Sequence, residues 1–236
     1  IEWLNKKRKN KNQAQEEALY SLEDVERALN NFIKVEYNTV TEIFSGINAT
    51  FQDAGHILGS SSILLEIEED HGKKFRFGFS GDIGRHETPI IRDPDYLRDL
   101  DFLIMESTYG NRIHSHSDEV EEEVAKVVRE VLDRKGKIII PAFAVGRTQM
   151  LVYVLHKLFD QNRIPEIPIY VDSPLAVNAT SVFKEHPECF DRETNRIFLE
   201  SGDDPFGFGR LKYISTVDQS RELNELKDPM IIISAS

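Results

Sequence analysis

The stretch Lys137-Ile138-Ile139-Ile140-Pro141-Ala142-Phe143-Ala144-Val145-Gly146-Arg147-Thr148 reads as a strand, a short loop and the start of a helix. The β-branched run suits a pleated, partly buried surface. The helix predicted from about Thr148 to Phe159 buries Leu151, Val154, Leu155 and Leu158 at helical spacing. The same alternation continues downstream, with a strand over Ile167 to Val171, a helix starting near Leu175 and a last buried strand from Met230 to Ser234. Just upstream, Val120, Val124, Val127, Val128 and Val131 mark the apolar face of another helix, and Glu119, Glu121, Glu122, Glu123 and Lys126 its polar face. Strands alternating with helices of this length imply an α/β fold with a parallel sheet covered on both faces.

Towards the N-terminus the period shortens. Ile43, Ile47 and Phe51, then Ile63, Leu65 and Ile67, then Phe75, Phe77 and Phe79 alternate with polar or small neighbours, as half-buried strands do. Gly46-Ile47-Asn48 and Asp70-His71-Gly72 are the predicted turns. The continuous apolar run Phe102-Leu103-Ile104-Met105 predicts a more deeply buried strand ending at Glu106. The change of texture places a domain boundary near Asn111 to Asp118, dividing the chain into 1–112 and 113–236. Ser21, followed by Glu23 and Asp24, predicts an N-cap and acidic first turn for a helix burying Leu22, Val25, Leu29 and Phe32. The polar segment Glu2 to Leu19 is expected to be a helix with a mobile basic middle, and Lys6, Lys7, Arg8 and Lys9 read as a solvated face.

Three strand ends carry residues suited to chemistry. In Asp53-Ala54-Gly55-His56-Ile57-Leu58-Gly59-Ser60, small neighbours let the backbone turn and present an imidazole; a lone histidine there is more often structural. Ser80-Gly81-Asp82-Ile83-Gly84-Arg85 delivers a carboxylate from a strand end through a glycine turn. One histidine with one aspartate suits zinc or a similar metal that accepts both nitrogen and oxygen. Glu106, in Glu106-Ser107-Thr108-Tyr109-Gly110, ends a buried strand, where an ionised carboxylate is costly without a partner. The loop ending at Arg147 aims N–H groups and a guanidinium at the carboxyl ends of the parallel sheet, a plausible phosphate site. Asp172-Ser173-Pro174 repeats the arrangement, with Ser173 free to donate to an anion or to cap the next helix. His114-Ser115-His116-Ser117-Asp118 looks like a metal motif, but no apolar strand leads into it, and Ser117 or Asp118 is better read as an N-cap.

Taken in order, the segments from Asp53, Ser80, Glu106 and Pro141 resemble the β-CASP branch of the metallo-β-lactamase superfamily, metal-dependent nucleases that include RNase J. The resemblance implies a partial metallo-β-lactamase αββα sandwich followed by a partial β-CASP domain with a Rossmann-like parallel sheet. It implies His56 and Asp82 as metal ligands, with Asp82 bridging two zinc ions. Asp82 and Glu106 are then the catalytic carboxylates, Glu106 orienting a histidine near the metals. Arg147 and Ser173 become contacts to single-stranded RNA. No His-x-His-x-Asp-His segment precedes His56, and the family's later histidine motifs do not follow. The chain is therefore expected to be an internal fragment, inactive on its own, of a ribonuclease of RNA processing or decay. Two other readings stay open: a lactamase-fold hydrolase of another ester, or a non-catalytic RNA-binding or scaffold member.

Composition narrows the setting. The chain has 236 residues, 40% hydrophobic and 30% charged, with a net charge of -12. RNA must therefore meet a local groove whose cations overcome the global field. No apolar run approaches the roughly 20 residues of a membrane helix. A single cysteine, Cys189, excludes an internal disulfide and a Cys-rich zinc site, and suits a reducing cytoplasm. A homo-oligomer is left open. Ile1 in place of methionine reads as a cloning or proteolytic boundary, and the first residues do not form a signal peptide.

Overall fold

The computed structural model describes residues 2–11, 13–14, 16–69, 72–113, 117–200, 202 and 204–235. The chain forms two compact units, Ile1–Glu36 and Tyr37–Ser236. In the first, α1 spans Glu2–Lys9 and α2 spans Leu22–Leu29. The expected long first helix ends at Lys9, where an Arg8–Glu16 ion pair and the Asn5 side chain, bonded to the Glu16 backbone, tie down the following segment. The expected cap on α2 is present as a full capping box: Ser21 Oγ accepts from Asp24 N–H and the Asp24 carboxylate accepts from Ser21 N–H. Its apolar face is not buried as expected. Leu22, Leu29 and Phe32 are exposed, so local capping holds this helix.

The second unit contains two sheets. In the first, β1 (Thr41–Phe44), β2 (Ile47–Asp53), β3 (Ser61–Glu68), β4 (Lys74–Phe79) and β5 (Phe102–Ile104) lie in that order. The first four run antiparallel and β5 joins β4 in parallel. The register pairs Asp53 with Ser61, Ile63 with Phe79, and Phe79 with Ile104. One end of the sheet therefore carries Asp53, Ser61, Phe79 and Ile104, from which the His56, Asp82 and Glu106 segments emerge. The expectation of a buried β5 fails: Phe102, Leu103, Ile104 and Met105 are all more than half exposed. An edge strand has a neighbour on one side only, so an apolar run does not by itself imply burial.

The second sheet is parallel throughout, in the order β6 (Lys137–Ala142), β9 (Met230–Ala235), β7 (Ile169–Asp172), β8 (Leu211–Ile214). The α/β class and the parallel sheet are as expected. α3 (Ser117–Asp133) precedes β6, and between the strands lie α4 (Arg147–Asp160), α5 (Pro174–Glu185), the short α6 (Arg192–Asn195) and α7 (Val217–Glu225). Ile169, Val171, Ile231 and Ile233 pack with Val128, Val152, Leu155 and Phe183 in the main core. On the other face Tyr170, Ile214 and Met230 pack with Leu223 of α7. That second cover is incomplete, because Ile139 of the flanking strand β6 is exposed.

The buried line of α3 is rotated from the predicted valine stripe. Glu121, Ala125 and Val128 are buried, whereas Val120 and Val127 are exposed. Ala125 has little bulk to separate α3 from the core, and Glu121 stays satisfied inside by Lys157 at 3.0 Å and Arg163 at 3.3 Å.

The two sheets are joined by the segment before β5. Ile90 and Ile91 enter the main core beside Phe190 and Phe206. Ile91 bridges Phe190 in antiparallel fashion, Arg92 N–H donates to Cys189 O, and Asp191 N–H donates to Ile90 O.

Candidate active site

Three turns meet at the end of the first sheet. The His56 turn begins at Gly55, whose φ of +59° excludes most side chains. It closes on Ser60, whose Oγ accepts from both His56 N–H at 3.1 Å and Ile57 N–H at 3.2 Å. The Asp82 turn is pressed onto it: Gly84 N–H donates to Ala54 O at 2.7 Å. A β-carbon on Gly84 would lie 1.6 Å from Gly55 O, so the two turns interlock at a position only glycine can occupy.

The third turn clamps the second. Ser62 Oγ donates to Ser80 O, and Glu106 N–H donates to Ser80 Oγ. One Glu106 carboxylate oxygen accepts from Ile83 N–H at 2.7 Å and the other from Thr108 Oγ1 at 2.7 Å. The Thr108 and Ile83 bonds, with a smaller contribution from His56, hold the Glu106 carboxyl below the usual glutamate range. Glu106 is thus an ionised tether for the turn that carries Asp82.

His56 and Asp82 come together, with Nε2 3.9 Å from Oδ2 and both side chains open to solvent. Two donors at tetrahedral angle on one zinc ion lie roughly 3.3–3.6 Å apart, a few tenths of an ångström closer than here, so a small closure of these exposed side chains lets an imidazole and a carboxylate share a divalent cation. Among the described residues no group of three or more such donors is assembled. His114 and His116 lie outside the described residues.

The parallel sheet brings its own loop to this site. Ala144, Val145 and Gly146 form the turn between β6 and α4, and a β-carbon on Gly146 would lie 3.1 Å from Ile57 of the His56 turn. Leu58 packs against the main core. Arg147, the first residue of α4, is exposed one position beyond Gly146. Ser173 is buried and caps α5, its Oγ accepting from Ala176 N–H at 3.2 Å. Of the two roles open to Ser173 in the sequence, the cap is the one seen.

Two residues of the site are given no role by the sequence: Asp53, which only opens the His56 segment, and Arg92. Asp53 is buried at the end of β2, where its carboxylate accepts from Gly55 N–H at 2.9 Å and pairs with Arg92 at 3.4 Å. Burial raises the Asp53 pKa, and the Gly55 and Arg92 contacts oppose that rise. The available signal was a carboxylate closing an alternating strand on an apolar stretch, which asks for a cation elsewhere in the chain.

Residues 148–236 match the Beta-Casp domain. Residues 148–236 therefore belong to the Beta-Casp family, and the chain as a whole is similar to relatives along almost all of its own length. It is 31% identical over 221 residues to a ribonuclease of Thermus thermophilus, covering 94% of this chain and 49% of that protein. An RNase J-like protein of Methanocaldococcus jannaschii is 33% identical over 221 residues, with 92% and 49% covered. Transcription termination factor FttA of the same organism is 32% identical over 224 residues, with 93% and 34% covered. The chain therefore spans from about a third to about half the length of these relatives.

Proposed function

We propose that the whole protein hydrolyses phosphodiester bonds of single-stranded RNA with the help of two zinc ions. The observation that carries this reading is the convergence of His56 and Asp82 on interlocked turns, beside the loop that leads to Arg147. The relatives named as a ribonuclease and an RNase J-like protein support RNA as the substrate class.

In this reading His56 and Asp82 would hold the metal. Bound zinc would supply a water of lowered pKa and positive charge to meet the phosphate. Glu106 keeps the Asp82 turn in place through Ile83 and stays ionised while doing so. Arg147 binds a substrate phosphate with a guanidinium carried on the first turn of α4, where the helix dipole also favours an anion. Ser173 contributes by fixing the start of α5 at the same edge of the sheet. Residues 1–112 and 113–236 would act as the metal-carrying and substrate-carrying parts. Among the described residues no helix is long and apolar enough to cross a membrane, and a cytoplasmic setting agrees with the single cysteine. Incubating the full-length protein with labelled RNA, with and without chelator, tests the reading. Cleavage abolished by chelator and restored by zinc is expected, and equal cleavage in both conditions would end it.

A further inference from the structure

Three residues before His56, Asp53 is buried against a cation supplied from the segment that joins the two sheets, and this pairing has a consequence for the imidazole. The Asp53 carboxylate has two partners: Gly55 N–H within its own turn and the Arg92 guanidinium. Gly55 is also packed on the backbone that carries Arg92, since a β-carbon there would lie 2.6 Å from Pro94 N and 2.9 Å from Arg92 O. Asp95 N–H donates to Asp53 O at 2.8 Å, closing the contact on the far side.

The other side of this segment is anchored in the α/β layer. Arg92 N–H donates to Cys189 O, Ile91 bridges Phe190, and Asp191 N–H donates to Ile90 O. The stretch Pro187–Cys189 follows α5 after a single residue, His186, and the opposite end of α5 is the buried cap Ser173. Residues 90–95 thus form a strap, hydrogen-bonded along one side to residues 189–191, which follow α5, and ion-paired to the base of the His56 turn on the other. Ile90 adopts φ +84° while buried, an unfavourable conformation for a β-branched residue that persists only where the surroundings impose it.

We propose that Arg92 is a positioning residue for His56: it holds Asp53 ionised as the acceptor for Gly55 N–H, and so fixes the turn that presents the imidazole to metal. The proposal rests on the reading of His56 as a metal ligand. Without Arg92 the buried carboxylate loses its cation, and the turn can relieve that cost only by protonating Asp53 or by moving Asp53 towards water. Either change weakens the bond to Gly55 and releases the backbone next to His56.

The test uses Arg92→Met and Arg92→Lys in the full-length protein, with zinc affinity measured by competition against a chromophoric chelator. Arg92→Met should weaken zinc binding about 10–100-fold, the range typical of lost orienting partners. It should lower kcat on RNA while KM stays within about threefold, because Arg147 and the phosphate side are untouched. Arg92→Lys, which keeps a cation for Asp53, should recover most of both losses. A merely structural role would lower melting temperature without this split or rescue. Hydrogen exchange at Gly55 N–H in the metal-free chain gives an arm independent of the metal reading: it should accelerate in Arg92→Met and return in Arg92→Lys. If Arg92→Met does not fold, Asp53→Asn with Arg92→Met removes both charges at similar volume and should still bind zinc weakly. Wild-type zinc affinity, kcat and Gly55 exchange in a folded Arg92→Met protein would overturn the proposal. A wild-type protein that binds no zinc, with Gly55 exchange still governed by Arg92, would sink the function and leave the strap standing.

Discussion

Gly84→Ala is the sharpest test of the interlock between the His56 and Asp82 turns. The new β-carbon would sit 1.6 Å from Gly55 O, 2.1 Å from Gly55 C and 2.7 Å from His56 N. Carbon and oxygen atoms normally approach no closer than about 3.3 Å, so the turns must part by roughly 1.7 Å. Backbone atoms cannot swing aside as a flexible side chain would. The Gly84 N–H to Ala54 O bond, 2.7 Å long in the native protein, cannot survive such a displacement. Losing it costs about 1 kcal/mol, and forced overpacking adds about 1–3 kcal/mol, for a total of about 2–4 kcal/mol. Gly84 is not among the positive-φ residues, so the cost is steric.

Gly59→Ala is the matched control. Gly59 has φ +81°, and a β-carbon there would meet nothing within 4 Å, so its substitution carries only the left-handed backbone penalty of about 1–2 kcal/mol. Urea unfolding followed by circular dichroism compares the two. Gly84→Ala should lower the midpoint more than Gly59→Ala and weaken zinc binding in the full-length protein. A Gly84→Ala protein within about 0.5 kcal/mol of wild type, or one less affected than Gly59→Ala, would refute the interlock.

Three further outcomes follow from the same geometry. The folded-state pKa of Glu106 is depressed, so its tether contributes stability above the unfolded glutamate pKa of about 4.3 and loses it as pH falls through the lower folded value. The gap between wild type and Glu106→Gln in melting temperature should be steady near neutral pH and close on acidification; a gap that widens in acid would contradict the assignment. Arg147→Ala in the full-length protein should weaken RNA binding and reduce the slope of log affinity against log salt by about 0.7, one single-strand phosphate contact, with zinc content unchanged; an unchanged slope would return Arg147 to a helix terminus without a ligand. The chain of 236 residues by itself should hold zinc weakly and cleave RNA little, since a catalytic zinc takes about three protein ligands and the described residues assemble fewer; two tightly held zinc ions per chain with cleavage would bring His114 and His116 back as ligands.

Much of the fold was legible because periodicity reports on burial within one element. The run 137–142, the α4 stripe through Leu155 and Leu158, and the strand at Met230 all lie where the sequence places them. Readings failed where burial depends on what packs opposite. Phe102–Ile104 is apolar but lies at a sheet edge. Leu22 and Leu29 form an apolar face that nothing in the described structure covers deeply. Glu121 looks like a surface charge until Lys157 and Arg163, supplied from farther along the chain, are seen to accompany it inward.

The site divides along the same line. His56 and Asp82 could be singled out locally, because glycines on either side of a polar residue at a strand end indicate a turn built to present it. The pairings that hold those turns leave no local mark. Glu106 reaches Ile83 and Arg92 reaches Asp53 across the sheet end, and neither spacing is a motif. Such contacts become visible only once the register of β2 to β5 brings the strand ends together. A carboxylate at or just past a strand end therefore poses the same question at Asp53 as at Glu106: which donor meets it in the fold. At Glu106 two hydrogen bonds answer, and at Asp53 a backbone N–H and a guanidinium do. In both cases the charge is retained next to a candidate ligand by partners that also fix the ligand's backbone. That shared arrangement is why zinc affinity, and not stability alone, is the quantity these substitutions should change.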